Sequence, residues 1–412
     1  MSKLSINSIP ASIFNVNAEE VADKTKARAG IVAKGRMLAV DYARRGAQAV
    51  RTALKSAESI PAVLNVQQYN ELNEKFQHEH LLYAARKVAS WMDTEAPETF
   101  EDFKRNAGAY YGNAQFYAVL QGIYQEIITP ILPAVYSEAV SVFADVVDVP
   151  FGQTYQITVD SNYIPVFQDS AWGASRSVPR NRFYAKDYTL NPSPRTAAIS
   201  AKYMQLIGNG FDFGKFFANI AAGMYAKTMG LWSAAMTAAA ADTALVPSGL
   251  LYTFSSQNFV AAANKVSALN STSVSNLMAV GGLVALSKVL PTQVTGSTNV
   301  NMDAAIATLL GADYTRAGYL GEFMAVRLFP IMDAIVPNTQ NSSVTTVLPS
   351  DKVWLMASNG RKPLTIAYNS ATPIQLEIDP SKTGDMEMGI NLTMAIDSVA
   401  TFSSRAALIT IS

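Results

Sequence analysis

The sequence predicts an α+β chain of two or three units. Three observations carry that reading: helical periodicity dominates the first 140 residues, one long helical signal runs from Asp212 to about Ala241, and short β-branched and aromatic runs punctuated by Pro and Gly fill much of the remainder. A length of 412 residues exceeds what one ordinary core accommodates. Hydrophobic residues make up 49% and charged ones only 16%, so much of the surface is expected to be covered by other subunits. Lys+Arg and Asp+Glu balance at 32 each, which gives the whole chain no electrostatic case for nucleic acid or a membrane. Without Cys there is no disulfide framework, thiol nucleophile or zinc-thiolate site. The start MSKLSINSIPASIF lacks an apolar run behind basic residues, and no stretch is apolar for long enough to span a bilayer, so a soluble, cytoplasmic origin is expected.

Residues 1 to about 18 are polar, contain Pro10 and are expected to form a flexible arm. From Ala18 to Lys55 the pattern turns helical and basic. Between Lys24 and Lys55, nine basic residues (Lys24, Lys26, Arg28, Lys34, Arg36, Arg44, Arg45, Arg51 and Lys55) face the single acid Asp41. Such a run is either the solvated face of an Ala-rich helix or a contact with something acidic, nucleic acid or protein. Pro61 interrupts, and Gln67–Met92 resumes the helical pattern with Tyr69, Leu72, Phe76, Tyr83 and Trp91. His78 and His80, two apart, point to different sides of that helix and cannot share a metal. Further helical pieces at Glu98–Asn106 and Tyr110–Ile128 end at Pro130 and Pro133.

Near Val140 the runs VFADVVDVP, TYQITVD and NYIPVFQ bring strand chemistry. Asp169–Arg195 then interleaves Trp172, Phe183, Tyr184 and Tyr188 with Arg176, Arg180, Arg182 and Lys186. Such a mixture stacks on single-stranded nucleic acid or anchors a protein interface. The interface is favoured. The segment reads as an excursion between two strands, Tyr155–Val159 and Ala197–Ile207, with no core pattern of its own, and a projecting hairpin is most stable when a neighbour covers it.

The long helix opens at Asp212, whose carboxylate is placed to cap first-turn amides, and closes at Asp242-Thr243 before Pro247. Phe213, Phe216, Phe217, Ile220, Met224, Leu231 and Ala235 form its apolar stripe. Gly223 and Gly230 each weaken a helix interior by about 1 kcal/mol, which suggests a closely crossing backbone or a bend. Asn258–Leu290 mixes helical and strand-like sections. A short helix is expected at Asp303–Leu310, one buried strand at Phe323–Phe329, and a strand-rich tail at Lys352–Ala357, Leu364–Tyr368, Ile374–Ile378, Met386–Ile396 and Arg405–Ile411.

Signatures of catalysis do not emerge. Gly208, Gly210 and Gly214 have the wrong spacing for a dinucleotide fingerprint, no phosphate-loop G-K-[ST] occurs, and no G-x-S-x-G elbow accompanies the two histidines. No catalytic residue, cofactor or metal is expected. The N-x-[ST] triplets at Asn270, Asn341 and Asn391 read as ordinary loops and strands.

From Val140 onward the order of elements resembles the major capsid (coat) protein family of tailed bacteriophages, whose fold is shared with encapsulin shells. TYQITVD through AISAKYMQLI is similar to that family's extended loop, and DFGKFFANIAAGMYAKTMGLW to its spine helix. GYLGEFMAVRLFP is similar to its axial-domain strand, and KVWLMASNGRKPLTI with INLTMAIDSVATFSSRAALITIS to its closing strands. The resemblance implies an N-terminal helical arm region (1–140), strands and extended loop (141–210), a spine helix of the peripheral domain (211–257), an axial domain (258–345), and an exit with strands returning to the peripheral domain (346–412).

It also implies a non-enzymatic shell protein of the virion, assembled in the host cytoplasm into hexamers and pentamers that enclose double-stranded DNA on the inner face. Scaffolding, portal and decoration proteins are its implied partners, and no membrane is. An encapsulin-type compartment and a mixed α/β enzyme are the alternatives. Helices ahead of the hairpin exceed what encapsulins usually carry. Trp172, Arg176, Arg180, Arg182, Phe183, Tyr184, Lys186 and Tyr188 become candidate intersubunit contacts. The basic arm is assigned to adjacent subunits because Ile31, Val32, Met37, Leu38, Val40, Val50 and Leu54 interleave it. Some members cross-link through a loop Lys. Lys186, the single Lys between Asp160 and Asn191, is instead expected to make a plain surface contact. The N-terminal region is expected to stay in the shell, since Tyr69, Phe76, Tyr83, Trp91, Phe100, Phe103, Phe116 and Tyr117 suit permanent packing.

Overall fold

The computed structural model describes residues 26–53, 64–92, 94–129, 144–150, 152–160, 185–208, 210–243, 245–290, 292–295, 298–301, 318–331, 333–337, 343, 345–358, 362–369, 374–378, 387–401 and 404–411. Five helices come first: α1 (Lys26–Ala53), α2 (Val66–Trp91), α3 (Phe100–Arg105), α4 (Ala107–Tyr111) and α5 (Ala114–Ile128). Asn65, Thr99 and Asn113 cap α2, α3 and α5 with their side chains, and for α2 and α3 the capping box closes through Gln68 and Asp102.

Strands β1 (Ala144–Asp148), β2 (Tyr155–Asp160), β3 (Ala185–Leu190) and β4 (Ser193–Lys202) follow, then the single turn α6 (Tyr203–Ile207). The long helix α7 (Phe213–Ala241) has 29 residues, and Asp212 caps it by accepting from the Lys215 amide. At 1.5 Å per residue it is about 43 Å long. Strand β5 (Leu251–Thr253), helix α8 (Ser256–Leu269), strand β6 (Leu277–Gly282) and helix α9 (Leu283–Ser287) resolve the mixed stretch as helix, strand, helix. The rest is strand: β7 (Thr292–Thr295), β8 (Thr298–Asn301), β9 (Glu322–Phe323), β10 (Val326–Ile331), β11 (Lys352–Ala357), β12 (Leu364–Tyr368), β13 (Ile374–Ile378), β14 (Glu387–Ala400) and β15 (Ala407–Thr410). The expected helix at Asp303–Leu310 and the run NYIPVFQ lie outside the described residues.

Two sheets organise these strands. The five-stranded one is built on β14, a strand of 14 residues. On one side β14 pairs antiparallel with β12 and β13, on the other with β4 over the whole stretch Ser193–Lys202, and β1 adds parallel to β12. The six-stranded sheet runs β5-β15-β11-β6-β10-β9. All six residues of β6 are buried, as a strand covered on both faces requires. Helix α7 packs against β14 as well as against α1 and α2, which explains why its burial exceeds one stripe. Gly214, Ala218, Tyr225, Thr228, Met229, Trp232 and Met236 are buried besides most of the expected positions, while Phe216, Leu231 and Ala235 are half-buried. One continuous core joins the N-terminal helices, α7 and both sheets.

Several expectations are corrected. The partner of β2 is β3, from Tyr155↔Leu190 to Asp160↔Ala185, and not the stretch beginning at Ala197. Ala197–Ile207 is two elements, the end of β4 and the turn α6, and β4 pairs with β14. Phe323–Phe329 is a hairpin. β9 and β10 pair across a two-residue turn in which Met324 and Ala325 have φ of 49° and 63°. Of the strands in 346–412, β14 packs beside α7, while β15 sits inside the six-stranded sheet between β5 and β11. Gly223 and Gly230 are not crossing points, since a Cβ on Gly223 would meet nothing within 4 Å and one on Gly230 only Val347 Cγ1 at 3.8 Å. The close approach is at Gly214, where a Cβ would meet the Leu38 carbonyl oxygen at 2.7 Å and collide with the Tyr69 hydroxyl.

Candidate functional site

The β2–β3 ribbon is a two-stranded sheet of its own. Tyr155, Gln156, Thr158, Lys186, Asp187 and Thr189 are exposed, and of its residues with described side chains Leu190 alone is fully buried. At its base Leu190 packs with Val149 and Ala367 in a small cluster apart from the main core, flanked by Val147, Ile157 and Val399. There the Asn191 amide donates to Asp397 Oδ2 at 2.9 Å. Further out, Thr158 Oγ1 donates to Asp187 Oδ1 at 2.6 Å, and Lys186 Nζ stands 5.0 Å from the centre of the Tyr188 ring. These local contacts bury little of the ribbon. Of the candidate interface residues, Lys186 and Tyr188 therefore lie on this ribbon, whereas Trp172, Arg176, Arg180, Arg182, Phe183 and Tyr184 lie outside the described residues.

The basic stretch is placed differently. Arg28 forms an ion pair with Glu126 at 2.5 Å, Arg36 Nη2 donates to the Glu126 carbonyl at 2.6 Å, and Lys34 pairs with Glu79. All three cations are half-buried. Arg28 and Arg36 meet the last turn of α5, where the helix dipole and unpaired carbonyls favour a cation. For these three the acidic partner is in the same chain, at a sequence distance no local pattern reveals. Lys26, Arg44, Arg45 and Arg51 belong to α1, while Lys24 and Lys55 lie outside the described residues. The lone acid Asp41 is buried and accepts from the Leu64 amide at 2.9 Å.

A polar seam fastens the N-terminal helices to the start of α7, and the sequence reading missed it. Tyr69, Asn73 and Gln77 follow one another at four-residue steps on one face of α2. Tyr69 Oη donates to Asp212 Oδ1 at 2.5 Å, so one carboxylate both caps α7 and holds α2. Asn73 donates to the Phe211 carbonyl at 2.8 Å and accepts from the Phe213 amide at 3.1 Å. Gln77 Nε2 donates to the carbonyls of Leu206 at 2.7 Å and Gly208 at 2.6 Å. The four-residue spacing of three polar residues was the available signal. Behind the seam Phe76, Phe213 and Phe217 are fully buried, as expected aromatic packing requires. Trp91, in contrast, is 58% exposed.

His80 is buried at the same junction. Its Nδ1 faces the Phe76 carbonyl at 2.6 Å and its Nε2 the Tyr124 hydroxyl at 3.1 Å. A carbonyl only accepts, so Nδ1 carries the proton and Nε2 accepts from Tyr124. Burial pushes its pKa down to about 4, against the Phe76 carbonyl, which raises it, while His78 lowers it further. His78 points elsewhere, its ring stacked on Phe100 at 3.9 Å, and burial again lowers its pKa. Burial likewise raises the phenol pKa of Tyr117, Tyr124, Tyr203 and Tyr225. Among the described residues no group of three His, Cys, Asp or Glu side chains is arranged to hold a metal, and no helix is long and apolar enough to cross a membrane.

No protein-family model matches the sequence, and no curated protein matches it. Solved structures similar to this chain include the mature capsid of bacteriophage PhiM1, with 12% identity, a TM-score of 0.41, and coverage of 66% of this chain and 86% of that one. The capsid of a native GTA particle is similar at 13% identity and a TM-score of 0.41, covering 66% and 90%. A virus-like particle from Pyrococcus furiosus is similar at 11% identity and a TM-score of 0.37, covering 68% and 96%.

Proposed function

We propose that this chain is a shell-forming coat protein that assembles with copies of itself into a closed icosahedral capsid around double-stranded DNA. The observation that carries the reading is the β2–β3 ribbon. One of its faces, Gln156, Thr158, Asp187 and Thr189, is wholly exposed, the other is covered only toward its base at Leu190, both outer edges are unpaired among the described strands, and an isolated hairpin of that size is at best marginally stable in water. A second copy covering it would supply the missing partner. The order around it, helices, ribbon, long helix, mixed domain and closing strands, is the one the family resemblance implies, and the thin charge of the chain suits a surface largely buried between subunits. Hexamers and pentamers of this chain would make the shell, with no chemistry asked of its side chains.

Expression of the full chain followed by negative-stain microscopy tests the reading. Closed particles, tubes or sheets are expected, and a persistent monomer at high concentration would refute it. Nuclease-protected DNA inside particles recovered from an infected or induced host distinguishes a virion coat from a protein-storing compartment, which would hold a protein cargo instead.

A further inference from the structure

The end of α2 and the turn into α3 form a corner at which Trp91, Met92, Thr94, Glu95 and Ala96 are exposed among the described residues. Trp91 is 58% and Met92 53% exposed, side by side at the helix terminus, although large apolar side chains are the ones a folded surface most often covers. The corner is held in shape. Arg86 donates to the carbonyls of Pro97 at 3.0 Å and Glu98 at 2.5 Å, Asn113 Nδ2 reaches Met92 Sδ at 3.1 Å, and the Thr99–Asp102 capping box fixes the next helix. A preordered apolar surface loses little freedom when a partner covers it. Its rim is acidic: residues 91–102, WMDTEAPETFED, contain five acids and no base. Glu95, Glu98 and Glu101 are exposed.

The charge excludes a polyanion and asks for a basic partner with aromatic or aliphatic side chains for Trp91 and Met92. One segment of the chain itself has that composition. Residues 176–188, RSVPRNRFYAKDY, carry four bases and one acid, with Phe183, Tyr184 and Tyr188 among them. Its described end, on β3, is exposed at Lys186 and half-buried at Tyr188. We infer that the Trp91–Glu101 corner is the docking surface for the basic, aromatic segment 176–188 of a second copy of this chain. Trp91 and Met92 take the aromatic contact, and Glu95 and Glu98 face the guanidinium groups, where bidentate pairing adds direction to a contact that apolar burial drives. The inference deepens the shell reading by naming the surface on which the ribbon of a neighbour rests.

The absence of native cysteine makes the test clean. Glu95→Cys and Arg182→Cys are introduced in separate, differently tagged chains, which are mixed, assembled and mildly oxidised. A disulfide-linked heterodimer is expected, with none from the control pair Glu95→Cys and Lys265→Cys, since Lys265 lies on α8 far along the chain. A second arm reverses charge: Glu95→Arg with Glu98→Arg is expected to abolish particles, and adding Arg180→Glu with Arg182→Glu to restore them. Particles without the selective cross-link, or loss without restoration, overturn the docking surface and leave the shell reading standing. A selective cross-link in chains that never form particles does the reverse.

Discussion

Gly214 and Gly223 sit in one helix and are expected to answer the same substitution in opposite directions. At Gly214 a methyl group meets backbone of α1, which cannot swing aside as a side chain can, so Gly214→Ala should destabilise the protein by about 1–3 kcal/mol. At Gly223 nothing lies within 4 Å, and Gly223→Ala should stabilise it by about 1 kcal/mol through helix propensity alone. Urea denaturation of the two variants checks both signs. His80 makes the second prediction. Its folded pKa of about 4 lies below the ordinary imidazole value of 6.5, so the unfolded chain binds the extra proton first as pH falls. Stability is therefore complete above pH 6.5 and declines as pH drops toward 4, by about 3 kcal/mol in all. A His80→Gln variant, which keeps a donor and an acceptor, should show that much less loss between pH 7 and pH 4. Sequence periodicity excluded a metal shared by His78 and His80, but the partner Tyr124 lies 44 residues away and had no local trace.

At the scale of elements, legibility followed the range of the interactions that make each one. The limits of α7 could be read from the sequence because Asp212 caps it locally and its apolar residues keep helical spacing. The strand β3 could not, because AKDYTL places Lys, Asp and Thr where a half-buried strand would show alternating apolar residues; its pairing with β2 replaces the core it lacks. The β9–β10 hairpin was hidden for another reason. Met324 and Ala325 both have positive φ, a conformation usually announced by Asn-Gly, and neither residue suits it. Replacing the pair with Asn-Gly should therefore raise the urea midpoint, by an amount equivalent to about 1 kcal/mol, without altering the sheet. Segment 169–195 could be proposed as an interface from composition, whereas the exposed corner at Trp91 could not be anticipated: a Trp at helical spacing with Tyr83 and Phe76 reads as core until its exposure is seen.

For the whole molecule, the shell reading predicts where assembly changes protection. Amides of β2 and β3 should exchange quickly in the free subunit and slowly in the particle, while those of β6, buried in both states, should change little; hydrogen exchange by mass spectrometry measures the difference. The N-terminal helices belong to the same core as α7, so a protease that trims the subunit without unfolding it should leave α2 to α5 attached, which the intact mass would report. One feature of the topology bears on the timing of synthesis. The strand that organises the five-stranded sheet is β14, and β15 is an inner strand of the six-stranded one, clamped at its entry by Asn270, which donates to the Arg405 carbonyl and accepts from its amide, each at 2.8 Å. Both are translated after every strand they join. Until they emerge from the ribosome, β4, β12 and β13 lack their common partner, and β5 and β11 are left with a gap between them. Neither sheet can be completed before these strands emerge, so, on the shell reading, neighbouring nascent chains on one message present no finished surface on which a shell could begin to nucleate.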